Sequence, residues 1–180
     1  LALITLASIS ACAPMDQPVG GKAPLAVPTR LVISAFTVIS HAPGDPPRLV
    51  EQDPTDQAEL LAARNAQEAL QNAIVLGLRA KHLPAEAGPA SNARDNALLI
   101  QGQMTATEPR VAIPSTFISR PLSAEIQVLH VTGQEPPQFL DSLSASPGVL
   151  NRPRASPTDE LAGVVVSRIL AFTAARRWFQ

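Results

Sequence analysis

Proline is the residue that most restricts the fold of this chain, because 18 of its 180 residues are prolines. A proline removes a backbone hydrogen-bond donor and interrupts helix interiors and central strands. The prolines cluster between segments that have regular hydrophobic patterns. The chain is therefore expected to consist of short periodic elements joined by stiff, irregular connections.

Strands are predicted in three parts of the chain. Leu31–Ile39 is rich in apolar and β-branched residues, and its nearly continuous hydrophobicity indicates a central strand covered on both faces. Ala97–Thr107 predicts a second strand, in which Gly102 is expected to mark a bulge. Leu122–Val131 followed by residues 138–143 predicts a hairpin.

The first strand of that hairpin alternates between apolar and polar residues. Ile126 and Val128 point to one face, and Glu125 and Gln127 point to the other. This alternation indicates a strand with one face in the core and one face toward solvent.

Two helices are predicted from their start signals. One extends from Asp56 to about Lys81, where Asp56 and Glu59 have the spacing of a capping box. The other follows Ser156-Pro157-Thr158-Asp159, which has serine at the N-cap, proline at the first helical position and an acid two residues later. Each helix has apolar residues at spacings of three and four, which indicates one buried side.

These elements predict an α/β (α+β) fold with the order β-α-β-β-β-α. A small mixed sheet of four to five strands would pack against two helices, and the uncertain fifth strand falls in residues 109–121, where prolines interrupt an apolar pattern. Residues 31–180 are long enough to form one domain with its own core.

The amino-terminal residues resemble a bacterial lipoprotein signal. An apolar run ends in Ile9, Ser10, Ala11 and Cys12, which has the pattern of a lipobox: an aliphatic residue, two small residues and a cysteine that receives diacylglycerol. Residues 1–11 are then a signal peptide, truncated at its start because the chain begins with leucine and shows no basic region. The alternative is an apolar strand that ends in an ordinary buried cysteine.

Residues 12–30 would form a lipidated tether rich in proline and glycine, without hydrophobic periodicity. Ala13 follows the cysteine in place of the aspartate that resembles an inner-membrane retention signal. We therefore expect a palmitate-bearing protein on the periplasmic side of the outer membrane. The inner membrane and secretion remain alternatives.

Composition restricts the chemistry of the chain. Its net charge of −1 gives no electrostatic reason to expect nucleic-acid binding, and its single cysteine excludes an internal disulfide and a thiolate metal cluster. The histidines, His41, His82 and His130, are isolated in sequence, and no G-x-S-x-G motif is present. We therefore predict no catalytic residue, no metal, no cofactor and no enzymatic activity.

The order of elements resembles that of a proteobacterial lipoprotein family of unknown function. The resemblance rests on the apolar first strand, on the long helix ending in Leu78–Leu83, on the strand Ala97–Gly102 and on a closing helix after a hairpin. Where many members have a glycine-rich stretch, this chain has Arg110–Ser119 without glycine. The resemblance implies an α/β domain akin to the small periplasmic domains of the curli-secretion lipoprotein and of the TolB amino-terminal region.

The function predicted from the sequence is that of a lipid-anchored envelope lipoprotein whose domain binds another protein or assists envelope assembly. One alternative is a periplasmic binding module for a small apolar or cell-wall ligand, with a pocket lined by Ile126, Val128 and a helix face. A second is a hydrolase, which would need His130 or His41 in a pocket beside a carboxylate. The sequence leaves the partner and the oligomeric state open.

Lipidation at Cys12 gives the first prediction. In a bacterial envelope, the protein should incorporate a palmitate analogue and float with membranes, because several acyl chains hold a protein at a bilayer durably. Cys12→Ser should abolish both, since the chain has no other cysteine to modify. A Cys12→Ser protein that still incorporates the label and still floats would contradict the lipobox.

Overall fold

The structure is a computed structural model that describes residues 25–41, 44–107, 122–133, 136–147 and 156–179. These ranges contain a mixed sheet of seven strands and two α-helices. In chain order the elements are β1 (Arg30–Ile33), β2 (Thr37–His41), β3 (Arg48–Leu49), α1 (Gln57–Arg79), β4 (Ala85–Ala87), β5 (Ala97–Thr107), β6 (Leu122–Val131), β7 (Gln138–Ala145) and α2 (Pro157–Ala175).

Strand β5 is the centre of the sheet. On one side it pairs in parallel with β1 along its first half and with β2 along its second half. On its other side it pairs with the antiparallel strand β6, which in turn pairs with β7. The short strands β4 and β3 lie outside β1 and β2, respectively.

The predicted first strand is broken at residues 34–36 into β1 and β2. Ile33 pairs with Ile100, and Thr37 pairs with Gln103, so the chain advances four residues beside three of β5. This extra residue has the effect of a bulge. Odd-numbered residues of β1, Leu31 and Ile33, face the helices, whereas in β2 the even-numbered Val38 does. This change explains why the segment does not alternate regularly in sequence.

Phe36 occupies the break and packs into the core with no exposed surface. Its ring lies against Gly102, where an added Cβ would meet Cε1 of Phe36 at 3.0 Å and the carbonyl oxygen of Glu125 at 2.2 Å. The predicted bulge at Gly102 is wrong, since β5 and β6 pair in continuous register through Gly102 and Ile126. The bulge lies instead between β6 and β7, at Val128 and Leu129.

Helix α1 begins at the predicted N-cap, where the Asp56 side chain accepts a hydrogen bond from the Glu59 N–H at 2.7 Å. The other half of the predicted capping box is absent. The Glu59 carboxylate instead accepts bonds from the Arg48 guanidinium at 2.5 Å and from the Thr55 N–H at 2.6 Å. These two bonds lower the pKa of Glu59 to about 2 and join β3 to the start of the helix.

Helix α2 also begins as predicted, with the Ser156 hydroxyl accepting a bond from the Asp159 N–H at 3.1 Å. Both helices cover one face of the sheet and contact each other. They meet closely at Gly77, where an added Cβ would lie 2.8 Å from a methyl carbon of Val166. The main core contains the apolar side chains between this helix pair and the sheet.

The opposite face of the sheet is apolar at only one end. There Val32, Leu99 and Val131 form a smaller cluster with Ala97 and Ala93. Ala93 directly follows a single 3₁₀ turn at Ala90–Asn92. Because β1 contributes Val32 to this cluster and Leu31 to the main core, the prediction of a strand buried on both faces is confirmed for β1.

The predicted α/β class, the mixed sheet and the two helices are confirmed, but the predicted count of four to five strands is wrong. The sheet has seven strands because the first strand is divided and because β3 and β4 form within the proline-containing connections between the predicted elements. These two strands have two and three residues, too few to produce a periodic pattern. The order is therefore β-β-β-α-β-β-β-β-α. In the described ranges, neither helix is both long and apolar enough to cross a membrane.

Substituting Gly102 tests the contact with Phe36. Gly102→Ala should lower the free energy of unfolding by about 1–3 kcal/mol, because the new methyl group would overlap the backbone of β6. Urea unfolding followed by circular dichroism measures the change. Gly163→Ala is the matched control: the added Cβ in the interior of α2 has no neighbour within 4 Å, and alanine should be neutral or stabilising there. Equal stabilities for the two variants would contradict the packing described.

Candidate functional site

The residues predicted to carry lipidation are Cys12 and the lipobox residues Ile9, Ser10 and Ala11. They lie outside the described residues, as does the ambiguous segment 109–121. The structure therefore bears on the domain that the predicted tether would carry.

A cleft of about 380 Å³ opens on the face of the sheet opposite the helices. Polar side chains predominate in its lining, which comprises Ser34, Ala35, Thr37, Gln101, Gly102, Gln103, Glu125, Gln127 and Ser142. None of these residues is a lysine, an arginine, a histidine or an aromatic residue. We call this concavity the polar cleft.

The break between β1 and β2 forms one wall of the polar cleft. Phe36 turns toward the helices, while Ala35 on the opposite side is exposed. The end of β1 remains fixed, because the Ile33 carbonyl accepts a bond from Gln71 Nε2 of α1 at 2.7 Å and the Ser34 N–H donates to the Ile100 carbonyl at 2.8 Å. The wall is thus held in place by helix α1 and by the neighbouring strand β5.

The floor of the polar cleft is formed by opposed side chains of β5 and β6. Gln101 lies opposite Gln127, and its Nε2 donates a hydrogen bond to the Gln127 Oε1 at 3.1 Å. Gln103 lies opposite Glu125, and Ser142 of β7 lies opposite Gln127. Gln103, Glu125, Gln127 and Ser142 are all exposed.

The sequence indicated part of this floor. The alternation of β6 predicted that Glu125 and Gln127 would face away from the core, and the structure places both there. Gln101 and Gln103 show the same signal, because they alternate with the buried Ile100 and Met104. Sequence reasoning did not identify the concavity, which depends on the strand break.

His130 is the one buried histidine of the described chain, with 2% of its surface exposed. Its Nε2 lies 2.5 Å from Asn96 Oδ1. Because Asn96 Nδ2 donates to the Val27 carbonyl, Oδ1 must accept, so His130 Nε2 carries the proton. The ring Nδ1 is buried without a hydrogen-bond partner in the described residues. Burial lowers the pKa of His130, so the neutral form is favoured.

Aromatic rings surround the other side of His130. The Trp178 ring lies 6.4 Å from the imidazole, centroid to centroid, and contacts Phe172 edge-on at 5.9 Å. The Arg176 guanidinium lies 3.7 Å from the centre of the Phe172 ring. His130 is therefore a core histidine that is hydrogen-bonded to an amide.

Around His130, Ile126 and Val128, the described residues do not form the arrangements that the two alternative functions would need. His130 contacts an amide and not a carboxylate, and Ile126 and Val128 are fully buried in the main core. A second groove of about 140 Å³ lies between α1 and the sheet, with Val38, Ala63 and Met104 in its lining. Among the described residues, no group of three or more His, Cys, Asp or Glu is placed to hold a metal ion.

The buried His130 predicts a dependence of stability on pH. Its pKa is lowered in the folded state, so the unfolded chain binds the proton first as the pH falls below the ordinary histidine value of about 6.5. The free energy of unfolding should therefore be constant above that pH and decrease below it. Urea unfolding followed by circular dichroism between pH 5 and pH 8 measures this dependence.

Two variants separate His130 from other titrating groups. His130→Gln keeps an N–H donor for Asn96 but cannot titrate, so the decrease in stability between pH 7 and pH 5 should become smaller. His82→Gln, at an exposed position, should leave the decrease unchanged. The same pH dependence in the His130→Gln protein and in the unsubstituted protein would show that another group is responsible.

Comparison with known protein families and with curated protein sequences finds no match to this chain. One solved structure that resembles it is described as that of an uncharacterized protein. The two chains share 13% sequence identity with a TM-score of 0.31, over 84% of this chain and 92% of the other. A similarity of this size carries no argument about function, and the resemblance to a lipoprotein family stays a prediction.

Proposed function

We propose that this chain is a lipid-anchored envelope protein whose domain binds a partner protein through the polar cleft. The anchor is the lipid on Cys12, and the domain faces the periplasm. The observation that carries the proposal is the concave polar surface formed by the strand break and by the side chains of β5, β6 and β7.

The polar cleft is prepared for recognition by hydrogen bonds. Its floor offers amide, carboxylate and hydroxyl groups from three adjacent strands, and regular pairing fixes the spacing of those strands. The backbone of these strands is already ordered, so binding would restrict only the side chains, which favours affinity. The bond between Gln101 and Gln127 further restricts two of these side chains.

The character of the polar cleft favours a protein partner over a small apolar ligand. Sites for small molecules are mostly apolar and enclose most of the ligand surface. This cleft is open, and seven of its nine lining residues have polar side chains. The pocket expected for an apolar ligand would need space beside Ile126 and Val128, and both are packed in the core.

Binding also fits the surroundings of His130 better than hydrolysis does. A general base must reach the proton that it removes. His130 is sealed between Asn96 and Trp178, so a substrate would not reach its ring without opening of the core. The geometry supports a structural role for His130, which holds the Asn96 side chain in place through a hydrogen bond.

Photo-crosslinking from single positions tests the proposal. A photoreactive phenylalanine analogue at Gln103 or Gln127 should form a covalent adduct with a discrete envelope protein in intact cells, because both side chains are exposed at the polar cleft. The same analogue at Glu68, which is exposed on α1, is the control. The adduct should be seen by immunoblot from the two cleft positions and not from position 68.

Identification of that adduct by mass spectrometry gives the partner. Adducts from position 68 alone, or an equal yield of the same adduct from all three positions, would show that the polar cleft is not the contact surface. A Cys12→Ser version of the Gln127 variant should lose most of the adduct, because the domain would no longer be held at the membrane.

A further inference from the structure

We infer that the polar cleft receives an arginine side chain of the partner protein, with Glu125 as its counter-ion. The inference rests on the proposed function, because it specifies the chemistry of what the cleft binds. Its basis is the juxtaposition of a carboxylate without a counter-charge and neighbouring amides in one concavity.

Glu125 is a carboxylate without a partner in the described part of the chain. Its side chain is exposed at the polar cleft, and neither a hydrogen bond nor an ion pair to a described residue involves its oxygens. The other carboxylates with defined contacts have a structural use: Glu59 pairs with Arg48, and Glu86 lies 3.1 Å from Arg30. The residues that line the cleft include no cation. A positively charged ligand would therefore complement the Glu125 carboxylate.

The amides beside Glu125 add oriented acceptors. Gln101 uses its Nε2 to bond Gln127 Oε1, which leaves the Gln101 Oε1 as an acceptor and the Gln127 Nε2 as a donor. Gln103 lies directly opposite Glu125 across the β5–β6 ladder. The free Gln101 oxygen and the Gln103 side chain thus lie on β5, the strand that pairs with β6 beside Glu125.

A guanidinium matches this set better than an ammonium does. Arginine presents five N–H donors in a planar fork and bonds carboxylates in pairs, whereas the three donors of lysine radiate from one compact, strongly hydrated point. A group with several donors in one plane can reach the carboxylate and a neighbouring amide oxygen together. The open floor of the cleft is formed by exposed side chains of β5 and β6, which gives a flat group access.

The lining also favours a peptide over a sugar. The polar cleft has no aromatic side chain, so it offers no ring against which the face of a sugar could pack. Phe36 is directed into the core from the same break. The negative charge of Glu125 would have no counterpart on a neutral glycan.

The experiment uses the full lipidated chain in detergent micelles. Two-dimensional NMR would follow its amide signals during titration with an acetylated, amidated pentapeptide Ser-Thr-Arg-Thr-Ser. Shifts should concentrate at Gln101, Glu125 and Gln127. The same peptide with citrulline, which is neutral and of the same shape as arginine, should bind about two- to fivefold more weakly, the size expected for an exposed ion pair.

Variants of the protein test the counter-ion directly. Glu125→Gln should weaken binding of the arginine peptide about two- to fivefold and should bring its dissociation constant close to that of the citrulline peptide. Glu68→Gln removes an exposed carboxylate from α1 and should leave both constants unchanged. A lysine peptide should bind more weakly than the arginine peptide, and raising sodium chloride from 50 to 300 mM should reduce the preference for arginine.

Equal affinity for arginine and citrulline, or no effect of Glu125→Gln, would overturn the inference. So would binding of a neutral oligomer of N-acetylglucosamine at the cleft in the absence of arginine-peptide binding, which would indicate a glycan ligand. Crosslinks from Gln103 and Gln127 without a preference for arginine would refute the inference alone and leave the proposed function standing. If those crosslinks and the arginine preference both failed, the proposed function would fail as well.

Discussion

The packing of Phe36 against Gly102 is the contact on which both the core and the polar cleft depend. Phe36 can enter the core only because Gly102 has no side chain at the helix side of β5. The ring enters the core at the break between β1 and β2, where the chain has one residue more than the β5 segment beside it. The same turn of the chain that buries Phe36 leaves Ala35 at the opposite surface. Core packing and surface shape therefore come from one local departure from regular pairing.

The two ends of the sheet face opposite the helices differ in what they offer to a ligand. At one end, Val32, Leu99 and Val131 are packed together and already buried. At the other end, positions on the same strands carry Gln101, Glu125 and Gln127, whose polar groups remain available. The boundary between the apolar end and the polar end lies within β5 and β6, because both strands run through the two regions. A rigid sheet stabilised at one end thus supports polar side chains at the other.

Local signals in the sequence predicted the helices, and non-local pairing decided what the sequence could not predict. Asp56 and Ser156 cap their helices through bonds within three residues, so the pattern alone is informative. Strands β3 and β4 are too short to have a pattern and exist because β2 and β1 pair with them. The break at 34–36 falls in a mostly apolar run. Such a run does not show which of its residues face the helices, so the break could not be predicted from it. The outward direction of Glu125 was predictable, but the concavity beside it was not.

Asn96 holds the segment that leads into β1. Its side chain joins the Val27 carbonyl to His130, and its carbonyl accepts the Thr29 N–H at 2.9 Å. Val27 and Thr29 precede β1, so these bonds fix the chain immediately before that strand begins at Arg30. Strand β1 itself lies between β4 and β5 and pairs in parallel with both. One asparagine immediately before β5 therefore links the segment before β1 to the buried histidine of β6, so strands far apart in sequence are joined at a single side chain.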